Sequence, residues 1–168
     1  MLMLAALITL VLTGLLADFA TGHRRLRFLK DIPPAPAGPT LSIVTAARNE
    51  ARGIEAAVKS LLRLDYPGLE IVIVNDRSED DTGAILQRLV VDHPHLKVIT
   101  IAELPPGWLG KNYALHTGAA RATGQLLLFT DADIVFEPST LRRAVALMEE
   151  ERIDHLAAIP DVRVPGLA

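Results

Sequence analysis

From residue 40 onward, short apolar runs alternate with longer amphipathic ones. The short runs are rich in Val, Ile and Leu at both odd and even positions, as is typical of strands covered on both faces; they are residues 41–47, 70–76, 96–102 and 125–131. The longer runs carry apolar residues at helical spacing and are residues 49–64, 78–93, 110–123 and 138–151, the last with Pro138 suited to a first turn. This alternation predicts an α/β fold with an open, mostly parallel sheet and helices on both faces.

The amino-terminal apolar run is longer than any of these. Residues 1–17 contain no charged side chain, and the apolar stretch continues past Asp18 to Ala20. That is roughly the length that spans the hydrocarbon core of a bilayer. No Lys or Arg precedes the run and no A-x-A cleavage site follows it, which favours an anchor over a secretory signal peptide. We expect a transmembrane helix over residues 1–21, the alternative being a hydrophobic helix packed on the domain itself.

Basic residues and then prolines follow this run. Basic residues beside a membrane segment stay on the cytoplasmic side, so the domain is expected to face the cytoplasm from the inner membrane, held by one amino-terminal span. "DIPPAPAGP" at 31–39 predicts a stiff linker. The chain therefore divides into an anchor at 1–21, a basic and proline-rich segment at 22–39, and a domain at 40–168; the basic residues are Arg24, Arg25, Arg27 and Lys30.

Composition excludes several classes of protein. The net charge is −3, from 17 Lys+Arg against 20 Asp+Glu, so no broad basic face for nucleic acid is expected. The absence of cysteine excludes a disulfide framework and a thiolate metal site. Neither G-x-G-x-x-G after the first strand nor G-x-x-x-x-G-K-[ST] occurs, which disfavours a dinucleotide dehydrogenase and a P-loop NTPase.

Acids and amides gather where three of the predicted strands end. The strands run into "ARNE" (47–50), "NDRSEDDT" (75–82) and "TDADIVF" (130–136). In open parallel sheets, ligands bind at the edge where the carboxyl ends of the strands meet. We therefore expect a binding site along this edge of the sheet.

The aspartates of "TDAD" are the first candidates for a metal site. On extended backbone the side chains of Asp131 and Asp133 point to the same side, where they repel unless a cation or proton lies between them. Oxygen ligands at such a place suit Mg²⁺ or Mn²⁺, which keep coordination positions for substrate phosphates. The alternative is that one aspartate caps a turn and the other is solvated.

The other strand ends offer both binding and capping roles. Asp76 can accept a hydrogen bond from a base or ribose donor. Glu50 can accept from a ribose hydroxyl, or can simply lie in the first turn of a helix that Asn49 caps; Asp80 is likewise a good helix cap. Lys111, at a helix start, suits a phosphate or a base carbonyl.

Four segments in order carry a resemblance to a known family. "SIVTAARNE", "IVIVNDRSEDDT", "GWLGKNYAL" and "LLLFTDADIVF" resemble the amino-terminal half of a family 2 glycosyltransferase of the GT-A (Rossmann-like) fold, over roughly residues 40–160. The basic segment after the anchor and "GWLGKN" are similar to membrane-bound members that glycosylate lipid or isoprenoid acceptors. The resemblance implies a metal-assisted, inverting transfer of a sugar from a UDP-sugar to an acceptor hydroxyl.

The resemblance also implies roles for particular residues. Asp76 would bind uracil, Ala47 and Glu50 would lie near the uridine, and Lys111 would lie by the nucleotide. Asp131 would face the ribose or the metal, and Asp133 would bind the divalent cation, Mn or Mg, on the diphosphate. The cation would stabilise the departing UDP as the acceptor attacks the anomeric carbon. The catalytic base and the acceptor-binding segments are expected beyond residue 168, so this chain is expected to hold the donor half alone.

Three other kinds of protein remain open from the residues alone. A receiver-like signalling domain also gathers aspartates around Mg²⁺, although it needs an acidic pair after its first strand and an aspartate after its third. A nucleotidyltransferase of related fold would favour a glycine-rich phosphate loop near the first strand. A membrane-tethered domain that binds nucleotide without turnover is the third.

Overall fold

The structure, a computed structural model, describes residues 2–23, 26–36 and 38–161. Small parts of the predicted anchor, basic segment, linker and domain lie outside the described residues. They are Met1, Arg24, Arg25, Ala37 and residues 162–168. Strands and helices alternate after a long first helix: α1 Leu2–His23, a 3-10 turn Leu29–Asp31, β1 Leu41–Ala47, α2 Ile54–Leu62, β2 Leu69–Asp76, α3 Thr82–Asp92, β3 Leu96–Ile101, α4 Gly110–Ala119, β4 Leu126–Asp131 and α5 Thr140–Glu151.

The strands form one parallel sheet in the order β3-β2-β1-β4. β1 pairs with β2 from Leu41↔Leu69 and with β4 from Leu41↔Leu126, while β2 pairs with β3. The chain thus moves outward from β1 to β3 and returns to the other side of β1 for β4. A reversal of this kind leaves a crevice beyond the carboxyl ends of β1 and β4. The order differs from the 2-1-3-4-5 order of receiver domains, which argues against that alternative.

Helices cover both faces of the sheet, as predicted. On one face, Ile43, Ile71 and Ile73 are fully buried in a core that also includes side chains from α2, α3 and α5. On the other face, α4 packs over β1 and β2. Gly118 allows this close approach, because a Cβ there would lie 2.5 Å from Cγ1 of Val44. This two-sided burial explains the apolar residues on both parities of β1 and β2. On β4, in contrast, one face is open, with Leu127 45% and Phe129 50% exposed.

Three helix starts differ from the prediction. α2 begins at Ile54, and residues 51–53 form a turn before it, so Asn49 and Glu50 are outside the helix. Asn49 has φ 56° and does not cap α2. α5 begins at Thr140 with Ser139 in the N-cap position, so Pro138 precedes the first turn. α3 likewise begins at Thr82, four residues after the predicted start at residue 78.

The first helix stands apart from the sheet. Its segment Met3–Gly22 is long and apolar enough to cross a membrane, and none of it is buried. The structure therefore does not support the alternative in which this helix packs on the domain. A membrane span is consistent with length and composition, while its orientation stays a prediction.

The proline-rich segment lies against α5. Arg142 donates from Nε to the carbonyl of Ala35 at 2.6 Å and accepts the N–H of Ala35 on its own carbonyl at 3.1 Å. Arg143 donates from Nη1 to the carbonyls of Lys30 and Ile32, and Ile32 is only 4% exposed. The segment before residue 40 is thus attached to the domain, whereas the boundary between residues 39 and 40 stays a prediction.

A buried carboxylate joins three strands at the amino edge of the sheet. Glu70 accepts hydrogen bonds from Ser42 Oγ at 2.5 Å, from the N–H of Thr123 at 2.8 Å and from Lys97. Burial by itself would raise the pKa of Glu70, but the hydrogen bonds from Lys97, Ser42 and Thr123 lower it to about 2. Its side chain is 13% exposed, whereas that of its partner Lys97 is 47% exposed, so the carboxylate is largely buried and the lysine reaches solvent.

Glu70 is expected to make the fold sensitive to acid. Because its folded pKa lies below the ordinary value of 4.5, its contribution is present above pH 4.5 and is lost as the pH falls from 4.5 to about 2. The contribution is at most about 3 kcal/mol. We expect the difference in unfolding free energy between the wild type and Glu70→Gln, measured by urea denaturation, to shrink over this window. Glu137→Gln, at an exposed site, should show no such dependence; a constant difference for Glu70→Gln would contradict the assignment.

Candidate functional site

An open cleft of about 410 Å³ lies at the carboxyl edge of the sheet. It occupies the crevice between the ends of β1 and β4, which is where the strand order reverses. All six residues that the sequence predicted for the site are in its wall. The wall consists of Ala46, Ala47, Arg48, Glu50, Asp76, Gly110, Lys111, Asp131, Ala132 and Asp133. The structure thus brings the predicted residues together, while their individual roles stay predictions.

The acid pair reaches the cleft from a turn. β4 ends at Asp131, and Ala132 and Asp133 form the turn that follows, so the extended backbone assumed from the sequence does not continue past Asp131. Ala132 is 7% exposed and packs into the core, while the aspartates on either side of it are exposed. The small buried residue therefore anchors the turn and leaves both carboxylates in the cleft.

A lysine crosses the cleft to this pair. Lys111, in the first turn of α4, donates from Nζ to Oδ1 of Asp131 at 2.5 Å. The two side chains are 61% and 59% exposed, so the ion pair is worth roughly 1 kcal/mol or less. A bound anion or cation could therefore separate the pair at little cost.

Asp76 is the buried acid of the cleft. Its side chain is 4% exposed and accepts hydrogen bonds from the guanidinium of the next residue, Arg77, at 2.8 Å and 3.2 Å. Gly110 lies against both groups, since a Cβ there would be 2.7 Å from Oδ2 of Asp76. A carboxylate so enclosed has a fixed direction, as recognition of a particular ligand group requires.

The loops after β1 and β2 are tied together by hydrogen bonds. The N–H of Glu50 donates to Oγ1 of Thr82 at 2.8 Å, and the N–H of Ala51 donates to Oδ2 of Asp80 at 3.1 Å. The side-chain oxygen of Asn49 accepts the N–H of Glu79 at 2.8 Å. These bonds place Glu50 in the wall of the cleft.

Asp80 supports the start of α3 as well as this loop. Its Oδ1 accepts the N–H of Thr82 at 3.0 Å, close to the capping role that the sequence suggested. Hydrogen bonding from Thr82 lowers the pKa of Asp80. The aspartate therefore stays ionised and holds both loops at the cleft.

Arg48 is a residue that the sequence analysis missed. It follows β1 and lies in the wall of the cleft, where an exposed guanidinium suits phosphate oxygens. The segment "ARNE" could have indicated this role, because Arg48 lies there between the predicted site residues Ala47 and Glu50. Trp108, in contrast, is outside the wall; it is 41% exposed and its ring packs against Tyr113 and His116 on α4.

The composition of the cleft fits a divalent cation held together with a ligand. Four carboxylates and two basic side chains line it, so a diphosphate would enter an acidic site. Among the residues that the structure describes, no group of three or more His, Cys, Asp or Glu side chains could hold a metal ion alone. Asp131 and Asp133 supply hard oxygen donors, and phosphate oxygens of a ligand could complete the coordination of Mg²⁺ or Mn²⁺.

Comparison with known proteins identifies a family for the chain. The family model described as "Glycosyl transferase family 2" matches residues 42–166. The chain is 38% identical over 109 residues to a beta-monoglucosyldiacylglycerol synthase of Synechocystis sp., over 64% of this chain and 22% of that protein. It spans about a quarter of the length of the curated relatives that it matches.

Solved structures share the fold. The mannosyltransferase PcManGT from Pyrobaculum calidifontis, in complex with GDP-Man and Mn²⁺, superposes with a TM-score of 0.63 at 30% identity, over 80% of this chain and 39% of that one. S. aureus TarS 1-349, in complex with UDP-GlcNAc, gives a TM-score of 0.59 at 27% identity, over 75% and 37%. The predicted GT-A fold is confirmed by these neighbours.

Proposed function

Because the chain belongs to glycosyl transferase family 2, we propose that the protein transfers a sugar from a UDP-sugar to a hydroxyl group of a lipid or isoprenoid acceptor. The observation that carries this proposal is the cleft at the switch between β1 and β4. Six residues from separate segments of the chain meet there, and they comprise acids, a lysine and a small residue at a strand end. Such an arrangement suits a base, a ribose and a diphosphate lying across the ends of the strands.

The donor would lie across the cleft from β2 to β4. Asp76 accepts the N–H of the uracil ring, and the small side chain of Ala47 leaves room for the uridine beside Glu50. Glu50 accepts a hydrogen bond from a ribose hydroxyl. Lys111 and Arg48 donate to the diphosphate oxygens. Lys111 gives up its ion pair with Asp131 when it does so.

Asp131 and Asp133 would hold a divalent cation, Mn²⁺ or Mg²⁺, together with the diphosphate. When bound, the cation supplies Lewis-acid stabilisation of the negative charge that develops on the departing UDP. The acid pair would also keep the diphosphate at the end of β4. The acceptor hydroxyl would attack the anomeric carbon with inversion as the bond to the diphosphate oxygen breaks and UDP leaves; the base that takes the proton is not assigned to any residue of this chain.

The lipid acceptor and the membrane location rest on two observations. The helix α1 has a segment with the length and composition of a membrane span, and a relative is named a beta-monoglucosyldiacylglycerol synthase. We propose that the protein sits on the cytoplasmic face of the inner membrane, where the donor is soluble and the acceptor lies in the bilayer.

Transfer to a lipid can be tested directly. Membranes that contain the protein are incubated with Mn²⁺ and UDP-glucose, UDP-galactose or UDP-N-acetylglucosamine carrying a radioactive sugar. We expect label in the organic extract with at least one donor, and little with Asp133→Ala. Asp92→Ala is the matched control, since this exposed residue ends α3 at the opposite edge of the sheet.

The alternatives give different results in the same assay. Label that appears only in water-soluble products would contradict the lipid acceptor but leave sugar transfer standing. Nucleotide binding with intact donor after long incubation would instead indicate a tethered domain that binds without turnover.

A further inference from the structure

Arg77 occupies both carboxylate oxygens of the buried acid in the cleft. Its Nε donates to Oδ1 of Asp76 at 2.8 Å and its Nη2 donates to Oδ2 at 3.2 Å. The side chain of Asp76 is 4% exposed and that of Arg77 is 23% exposed. A nucleobase that approaches Asp76 therefore meets a carboxylate that already has a partner on each oxygen.

The backbone adopts an unusual conformation at this pair. Arg77 has φ 52°, in the left-handed region that non-glycine residues seldom occupy. Such conformations persist only where the surrounding structure imposes them, and they concentrate at functional sites. The conformation here accompanies a guanidinium that folds back on the preceding carboxylate.

The start of α4 closes on the same pair. A Cβ at Gly110 would lie 2.6 Å from Nη2 of Arg77 and 2.7 Å from Oδ2 of Asp76. Only glycine fits there without moving the ion pair. Asp76, in the cleft wall, and Arg77, outside it, thus form one fixed group that is held from the β2 loop and from α4.

The chemistry of this group distinguishes between bases. The imide edge of uracil offers a single N–H between carbonyl groups, whereas the corresponding edge of guanine offers adjacent N–H donors beside a carbonyl. A free carboxylate pairs well with adjacent donors, one on each oxygen. The arginine fork uses the lone pairs that the two oxygens direct toward a common partner, and the lone pairs that remain point to opposite sides. A carboxylate paired with arginine therefore accepts a single N–H but cannot accept two adjacent ones together.

We propose that Arg77 is a specificity-determining residue, which makes Asp76 select uracil over guanine by occupying both of its oxygens. This inference rests on the proposed function, because it requires a nucleotide in the cleft. It assigns the choice of base to a residue that is outside the cleft wall itself and acts through Asp76.

The test compares UDP and GDP binding by the full chain in detergent with Mn²⁺. Calorimetry gives the ratio of the Kd for GDP to the Kd for UDP in the wild type, Arg77→Gly, Arg77→Lys and Arg88→Ala. Arg77→Gly is chosen because glycine adopts a positive φ without strain, so the loop keeps its shape. Arg88, exposed on α3, is the matched control for loss of one positive charge.

We expect the wild type to prefer UDP by about tenfold or more, and Arg77→Gly to lower the ratio by about tenfold, mainly through tighter GDP binding. Arg77→Lys should fall between them, since an ammonium cannot hold both oxygens in a fork. Arg88→Ala should match the wild type.

Three results would overturn the inference. An unchanged ratio in Arg77→Gly, with UDP still bound, would refute selection by Arg77 and leave the proposed function standing. A wild-type preference for GDP would refute it as well. A folded wild type that binds neither nucleotide would refute both the inference and the proposed function. A thermal melt of each variant establishes that it is folded.

Discussion

Replacing Asp133 by alanine is expected to lower the affinity for UDP in Mn²⁺ by at least about 100-fold, because loss of a direct metal ligand should exceed the 10- to 100-fold loss typical of its outer partners. The affinity of the variant should then equal that of the wild type in EDTA. Calorimetric titration with UDP, in Mn²⁺ and in EDTA, measures both quantities.

Asp133 gives a cleaner test than Asp131. Asp131 also pairs with Lys111 at 2.5 Å, so its removal would change the lysine as well as the proposed cation site. Asp133 is exposed in the turn after β4, and its loss should leave the melting temperature near that of the wild type. Uridine without phosphates should bind Asp133→Ala and wild type equally, and Asp92→Ala should bind UDP as the wild type does.

Replacing Asp76 by alanine is expected to weaken UDP binding about 10- to 100-fold, which corresponds to losing a hydrogen bond to a buried charged group. The binding that remains should still depend on Mn²⁺, because Asp131 and Asp133 are unchanged. Affinity is measured by the same titration, with uridine and pyrophosphate as partial ligands.

The partial ligands separate the two ends of the cleft. Asp76→Ala should weaken the binding of uridine by the same factor as that of UDP and leave the binding of pyrophosphate unchanged. Asp133→Ala should show the reverse pattern. Removal of Asp76 also leaves Arg77 without its partner, so the melting temperature must be measured first. Equal uridine affinity in wild type and Asp76→Ala would show that the base does not bind at Asp76.

The strands were predictable from the sequence because each is a short, continuous run of apolar residues. The run 41–47 matches β1, and the other three predicted strands agree with the structure to within one residue at each end. In β1 and β2 the continuous Val, Ile and Leu content reflects contact with helices on both faces, whereas in β4 Leu127 and Phe129 are exposed. The position of the site followed from the strand ends, since parallel strands bring their carboxyl ends to one edge.

The structure of the loops was not predictable in the same way. The residues at 49–51 read as a helix start, yet their N–H groups bond to Ser78, Asp80 and Thr82, about thirty positions later. Such contacts depend on β1 and β2 being neighbours. They have no local pattern, and they override the local preference for a helix.

The ion pairs of the cleft could not be predicted from the sequence either. Lys111 was predicted at the nucleotide, but its contact with Asp131 depends on how α4 crosses the sheet. The pairing of Arg77 with Asp76 needs a left-handed arginine, which its sequence neighbours do not demand. The attachment of residues 30–36 through Arg142 and Arg143 likewise joins parts of the chain more than a hundred residues apart.

The central claim is that the cleft holds a nucleotide diphosphate through a cation on the carboxylates at the end of β4. Titration of the folded wild-type chain with UDP, in Mn²⁺ and again in EDTA, tests it most directly. We predict saturable binding in Mn²⁺ that weakens at least about 100-fold in EDTA. Equal affinity under the two conditions, or no binding in either, would contradict the claim.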